Sequence, residues 1–168
     1  MFRNEPHGPQ IEAVVRMLRE SVKIAADQGV VLALENHIDY TSREILEILE
    51  RVGSDSLKVN FDTGNTMRMM EDPVAAARRL GPYTVATHTK DVAACRHVPP
   101  EEWYFFSSVP VGTGLIDIPG VVRALAESGY QGVLAVESDH HKDNQDEDRL
   151  VAQSIAYLKS LVAEIAKE

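Results

Sequence analysis

The sequence predicts an α/β fold built on a parallel sheet, and three observations carry that prediction. Four apolar runs of strand length end in Leu32-Ala33-Leu34-Glu35, Val59-Asn60-Phe61-Asp62, Val85-Ala86-Thr87-His88 and Leu134-Ala135-Val136-Glu137. Each run is followed by a loop and a stretch of helical periodicity, and strands that alternate with helices pair in parallel. Each run also closes on a side chain that binds hard or borderline divalent cations. The four ends are 27, 26 and 49 residues apart, about one strand-plus-helix unit for the first two and one unit with an inserted loop for the third. Parallel sheets carry functional groups at the carboxyl ends of their strands, so the four ends can converge.

Composition bounds what such a chain can be. Its 168 residues, 44% hydrophobic, suffice for one domain with its own core, expected to span residues 1–168. No apolar run approaches the roughly 18 residues of a membrane span, and residues 1–6 lack the basic and apolar regions of a signal peptide. Cys95 is the only cysteine, which rules out an internal disulfide and makes a cytoplasmic location the expectation. A net charge of −9 weighs against a nucleic-acid partner, because such binding depends on Lys and Arg neutralising phosphates. A small neutral substrate fits better.

The elements follow in order. Residues 1–8 read as a loop. From Pro9, the residues Ile11, Val14, Val15, Leu18, Val22 and Ala25 recur at helical spacing, and Gly29 suits the stop. A near-continuous apolar strand over 30–35 implies burial on both faces. Thr41-Ser42-Arg43-Glu44 has the capping-box pattern ahead of a helix that Gly53 ends. The cycle repeats with a strand over 57–62, a loop through Asp62-Thr63-Gly64-Asn65, and a helix over 73–80 capped by Asp72 and stopped by Gly81. It repeats again with a strand over 83–88, a long loop over 89–116, and a helix over 118–128 capped by Asp117 and closed by Gly129. The last cycle has a strand over 132–137, a polar loop, and an amphipathic helix carrying Leu150, Val151, Ile155, Leu158, Val162 and Ile165.

Strand alternation supports the convergence. If Glu35, Asp62, His88 and Glu137 share a face, Ala33, Asn60, Ala86 and Ala135 lie one step below them on it. The other face receives Leu34, Phe61, Thr87 and Val136, with Leu32, Val59, Val85 and Leu134 beneath. Large apolar groups then face the helices and small ones face the space under the ligands, as a barrel interior requires.

Two Glu, one Asp and one His make a mostly oxygen-donor site suited to one divalent metal ion, with Mn²⁺ as the first choice and Mg²⁺, Co²⁺ or Zn²⁺ as alternatives. It lacks the cysteines of a structural zinc site. Such an ion can hold adjacent hydroxyl and carbonyl oxygens and acidify the neighbouring C–H. One carboxylate can then remove a proton that another returns. Isomerisation and epimerisation of ketoses need those parts.

Several motifs carry a resemblance. Leu34-Glu35-Asn36, Phe61-Asp62-Thr63-Gly64-Asn65, His88-Thr89-Lys90-Asp91, Gly112-Thr113-Gly114-Leu115-Ile116-Asp117 and Gly129-Tyr130-Gln131-Gly132 with Glu137 resemble the second half of the xylose-isomerase-like TIM barrels, from about residue 9 to the end. That superfamily includes sugar phosphate isomerases and epimerases, ketose 3-epimerases, hydroxypyruvate isomerases and inosose-processing enzymes. The resemblance implies a (β/α)₈ barrel type of which about four βα units are present, a half barrel of parallel strands ringed by helices. It implies Glu35, Asp62, His88 and Glu137 as metal ligands on strands five to eight, Glu35 and Glu137 as the acid/base pair acting through an enediolate, and a small carbohydrate substrate. Asn65, Lys90, Asp91 and His37 are the expected substrate contacts.

The departures from the family pattern shape the alternatives. The first four strands, with their share of the pocket, are not in this sequence. Where ketose 3-epimerases carry an Arg soon after the strand-seven His, Lys90 and Asp91 come first and Arg96 follows. Asn65 stands where many relatives have a His. An apurinic endonuclease shares the barrel and part of the ligand set, but it needs further His ligands and a basic face. Four strands cannot close a barrel, so the chain is expected to be a truncated, catalytically incomplete fragment, to form a homo-oligomer, or to pair with a missing N-terminal half barrel. His140 and His141 read as solvated loop residues, Cys95 and His97 as incidental, and Trp103, Tyr104, Phe105 and Phe106 as an apolar cluster over a pocket or partner surface.

Overall fold

Three of the four apolar runs become full strands that lie side by side, as their periodicity requires. The computed structural model describes residues 5–94, 106–138 and 146–167. Helix α1 (His7–Asp27) leads into β1 (Leu32–Glu35), α2 (Ser42–Val52), β2 (Leu57–Asp62), α3 (Thr63–Arg68) and α4 (Pro73–Leu80). A 3₁₀ turn, Gly81–Tyr83, precedes β3 (Thr84–Thr89), and then come β4 (Asp91–Ala94), β5 (Phe106–Val109), α5 (Ile118–Glu127), β6 (Ala135–Val136) and α6 (Glu147–Ile165). Among the described residues, the four parallel strands form one sheet in the order β1-β2-β3-β6, ringed by helices, and β4 and β5 form a separate antiparallel pair. Residues 95–105 and 139–145 lie outside the described residues, and with them Cys95, Arg96, His97, Trp103, Tyr104, Phe105, His140 and His141.

The core lies between one face of the sheet and the helices. Leu57, Val59 and Phe61 of β2 are buried with Ile45 and Leu49 of α2, Ala76, Ala77 and Leu80 of α4, and Val121 and Leu125 of α5. Burying a side chain such as Phe61 in this way contributes about 2–3 kcal/mol. Ile11 and Val15 of α1 pack on Ile48 of α2 in a second cluster. The opposite face of the sheet is uncovered: Ala33 and Ala135 are exposed, and Val31 and Val133 on the same alternation are 50% and 77% exposed.

The helix ends bear out the capping pattern. The Thr41 and Glu44 side chains bond reciprocally to each other's backbone amides. Asp72, Asp117 and Asp146 accept from Val74, Gly120 and Arg149 amides at 2.9, 3.0 and 3.1 Å. These bonds occupy amide donors that the first helical turn leaves open.

Four expectations differ in detail. A register shift at Val59/Asn60 pairs Val59 with Thr84 and Asn60 with Ala86, which makes Val85 the extra residue of a bulge. Thr84 takes the buried place at the foot of β3, its hydroxyl donating to the Leu80 carbonyl, and Val85 is 47% exposed instead of facing the helices. The Asp62-to-Asn65 loop is the start of α3, with Asp62 as its cap. The loop over 89–116 contains the β4–β5 pair. Gly81 stops α4 as expected, as its C-cap, with a right-handed φ of −50° that leads into the 3₁₀ turn. The outer strands are shorter than expected, because each has a single neighbour to hold its ladder: β1 begins at Leu32 and β6 is two residues long.

Candidate metal centre

Strand register determines which side chains meet at the carboxyl end of the sheet. Glu35 is level with Asn60, Asp62 with His88, and Val136 with Thr89, which places Glu137 beside Lys90. One donor atom from each of Glu35, Asp62, His88 and Glu137 lies within 4.8 Å of the other three, so these four can hold a metal ion. His88 Nδ1 is 2.9 Å from Glu137 Oε2 and 3.7 Å from Glu35 Oε1. Asp62 is fully buried, while the other three donors are about one-third exposed and open toward the uncovered face.

Neighbouring groups orient this set. Asn65 belongs to it twice: its amide donates to Asp62 Oδ1 at 2.9 Å and its Nδ2 to Glu35 Oε1 at 3.2 Å. Lys90 is buried, with Nζ 3.2 Å from Asp62 Oδ2 and 3.4 Å from Glu137 Oε2. Asn60 Nδ2 lies 3.2 and 3.3 Å from the two ring nitrogens of His88. Asn36 and Thr63 tie the strand ends together, Asn36 through Asp62 and Thr63 through the Lys90 amide. Sequence reasoning used Asn36, Asn60 and Thr63 only as motif letters or small fillers. Their short polar side chains at strand ends were the signal, since such groups bond to nearby backbone.

Two expected contacts lie elsewhere. The Asp91 carboxylate accepts from the amides of Val92, Gly112, Gly114 and Ile116 at 2.8–3.2 Å, so both oxygens hold the loop ahead of α5. A Cβ on Gly114 would run into that carboxylate. His37 is half exposed, with Nδ1 3.7 Å from Asp39, and is not part of the four-donor cluster.

Burial pushes the Asp62 carboxyl up to about 6, despite the opposing pull of the Lys90 ammonium and the Asn65 amide, and Glu137 adds to the rise. Asp62 Oδ2 and Glu137 Oε2 are both buried without a hydrogen-bond partner among the described residues. Both are ion-paired instead, Asp62 Oδ2 with Lys90 Nζ at 3.2 Å and Glu137 Oε2 with His88 Nδ1 at 2.9 Å, and ion pairing offsets the cost of burying carboxylates only in part. A divalent cation among these donors would satisfy both, and three carboxylates with one imidazole suit it chemically.

The family model for xylose isomerase-like TIM barrels matches residues 2–161. This chain belongs to that family. Curated relatives include an uncharacterized protein of Methanocaldococcus jannaschii, 27% identical over 89% of this chain and 51% of the relative. An inosose dehydratase of Yersinia enterocolitica is 29% identical over 83% of this chain and 52% of the relative. The chain thus spans about half the length of these family members. Among solved structures, L-ribulose 3-epimerase superposes with a TM-score of 0.78 at 19% identity, over 99% of this chain and 58% of the epimerase. The IOLI protein, whose structure carries a zinc atom, gives 0.73 at 21% identity over 92% of this chain and 57% of its own. The fold of this chain thus matches somewhat more than half of each of these structures. Among the described residues, no helix is long and apolar enough to cross a membrane.

Proposed function

We propose that this chain carries the metal-binding and proton-transferring half of a sugar isomerase or epimerase that acts on small polyhydroxy ketones or their phosphates. The convergence of Glu35, Asp62, His88 and Glu137 within 4.8 Å, with Asp62 fully buried, is the observation that carries it. These four would hold one divalent ion, Mn²⁺ by preference for a mostly oxygen set, which would polarise a carbonyl and acidify the C–H beside it.

The residues divide the remaining work. Glu35 and Glu137 stand on the two outer strands, β1 and β6, so they reach the centre from opposite sides. One takes the proton from the carbon next to the carbonyl, leaving an enediolate, and the other returns it to the same or the neighbouring carbon. Asn65 holds Glu35 through Nδ2, and its Oδ1, buried without a hydrogen-bond partner among the described residues, would serve as a substrate contact. A dehydratase and a 3-epimerase among the similar proteins fit one shared demand, the removal of a proton from a polyhydroxylated carbon.

Residues 1–168 would form one domain, a half barrel. Its uncovered face, its two open sheet edges, and the apolar grooves of about 390 and 430 Å³ beside Leu134 call for a second half barrel, either a further copy or an N-terminal half.

The test is loss of the carbon-bound proton signal of a polyhydroxy ketone in heavy water with Mn²⁺, followed by NMR. The Mn²⁺-loaded assembly is expected to exchange that proton, and Glu35→Gln and Glu137→Gln to stop it. Full exchange by either variant would sink the paired-acid mechanism.

A further inference from the structure

Lys90 is the one buried cation drawn into the carboxylate cluster among the described residues, and the surrounding fold is shaped to bring it there. Its backbone is clamped on both sides by Thr63, whose hydroxyl accepts from the Lys90 amide at 2.8 Å and donates to the Lys90 carbonyl. Its aliphatic stem lies over Gly64: a Cβ at position 64 would come within 2.7 Å of Lys90 Cδ and 3.0 Å of Cγ. With that space left open, Nζ reaches 3.2 Å from Asp62 Oδ2 and 3.4 Å from Glu137 Oε2. Both of these carboxylate oxygens are buried, and His88 Nδ1 lies 2.9 Å from the second. An ammonium delivered to the edge of a metal centre, at the very oxygens offered to the metal, changes the charge that the metal meets.

Resting on the metal-centre reading above, we propose that Lys90 is a positioning residue that matches the charge of the donor set to a divalent ion. Glu35, Asp62 and Glu137 supply three negative charges, and Lys90 cancels one. Two remain, which a divalent ion balances and a trivalent ion overfills. Without a metal, the same ammonium holds Asp62 and Glu137 together against their mutual repulsion, so the donors stay gathered before the ion arrives. Gly64 is part of the device, because any side chain there displaces the lysine stem.

Coulomb repulsion scales with the charge of the incoming ion, and that sets the measurement. Binding of Mn²⁺, read by its EPR signal, and of Tb³⁺, read by its luminescence, is compared at pH 8 in the wild-type chain and in Lys90→Met, which keeps length and apolar stem but removes the charge. Lys90→Met is expected to bind Mn²⁺ at least tenfold more tightly. Its gain for Tb³⁺ on a logarithmic scale should be about one and a half times that for Mn²⁺, in the ratio of the charges. Gly64→Ala, which retains every charge but pushes the stem aside, should move both affinities the same way by less.

Thermal melting separates this role from simple packing. Mn²⁺ should raise the melting temperature of Lys90→Met by more than that of wild type, whereas a packing role would lower the metal-free and metal-loaded forms equally. Equal Mn²⁺ affinity in wild type and both variants would overturn the proposal while leaving the metal centre standing. Failure of wild type and Lys90→Met alike to bind Mn²⁺ would overturn the centre itself, and the role of Lys90 with it. Should Lys90→Met not fold, Gly64→Ala decides: an unchanged ratio of Tb³⁺ to Mn²⁺ affinity there rejects the charge-matching role.

Discussion

Asn36 and Asp62 exchange a pair of hydrogen bonds across the carboxyl ends of β1 and β2. Asn36 Nδ2 donates to the Asp62 carbonyl and the Asp62 amide donates to Asn36 Oδ1, each at 2.8 Å. The pair is buried, so no water can replace either bond. It fixes the strand end that carries Glu35 against the one that carries Asp62. Asn36→Ala strands a buried N–H and a buried C=O, at a cost of about 2–4 kcal/mol. Urea unfolding should show that loss, together with weaker Mn²⁺ binding because Glu35 and Asp62 are no longer held in register. Unchanged stability would mean that Asn36 is not the link it forms in this fold.

The raised Asp62 carboxyl makes the metal-free chain less stable as pH rises. Its value in the fold, about 6, lies above the ordinary 3.8, with burial as the main cause. Between those two values the folded state keeps a proton that the unfolded state has lost, so stability falls through that window and levels off above it. At about 1.4 kcal/mol per unit, the full effect is about 3 kcal/mol. Urea midpoints from pH 4 to 7 in the presence of a chelator should show the decline, and Asp62→Asn should flatten it. A midpoint that rises through this range in wild type, or the same slope in Asp62→Asn, would assign the effect elsewhere.

At the start of α2, the capping box has its own pH signature, opposite in sign. The Glu44 carboxyl is held below its ordinary value: burial, the largest single influence, raises it, but hydrogen bonds from the Thr41 amide, from His7 and from the Thr41 hydroxyl together outweigh burial. Its contribution is therefore present above the unfolded carboxylate value and is lost as pH falls through the lower folded one. Thr41→Ala removes the cap on the Glu44 amide at a cost of about 1 kcal/mol. Thermal melts at pH 7 should show that loss, and a smaller difference between wild type and Glu44→Ala at pH 3 than at pH 7.

Much of this architecture was legible before the fold was known, for a physical reason: a strand that packs one face on helices must place apolar side chains at every second position, as Leu57, Val59 and Phe61 do. The four residues that could hold a metal ion were legible because each terminates such a strand. Pairing register was less visible. Val85-Ala86-Thr87 alternates in a way that suits a regular strand, and the bulge that exposes Val85 follows from how β3 meets β2. Helix α3 was hidden because Gly64 and Asn65 favour turns, and the cap at Asp62 was read only as a ligand. Asp91 looked like a site residue from its place beside Lys90, but it points the other way and is held by loop amides that the sequence does not identify as neighbours.

Asp91 gives the sharpest distinction between holding a loop and touching a substrate. Four amides converge on its carboxylate in the buried interior, and hydrogen bonds to a charged group are worth more than neutral ones. Asp91→Ala is expected to cost at least about 3 kcal/mol, or to leave the chain unfolded, since it orphans several amides at once. Asp91→Asn keeps one acceptor oxygen and should fold with reduced stability, while Mn²⁺ affinity stays near wild type. A stable Asp91→Ala would contradict the holding role, and a stable Asp91→Asn that loses Mn²⁺ would place the carboxylate in the metal centre.

The uncovered sheet face predicts how the chain behaves alone. Val31 and Val133 are 50% and 77% exposed on that face, and among the described residues β1 and β6 each leave one edge without a partner strand. Apolar surface beside open strand edges drives association. Light scattering at micromolar concentration should therefore give a mass above the 18.6 kDa of one chain. Val31→Lys with Val133→Lys places charge on that face without touching the buried core, so the doubly substituted chain should shift toward the monomer mass with little change in helical content. A monomeric wild-type chain would show that this face tolerates water. The second half barrel would then have to be recruited by the site or by substrate, since apolar burial would not be drawing it in.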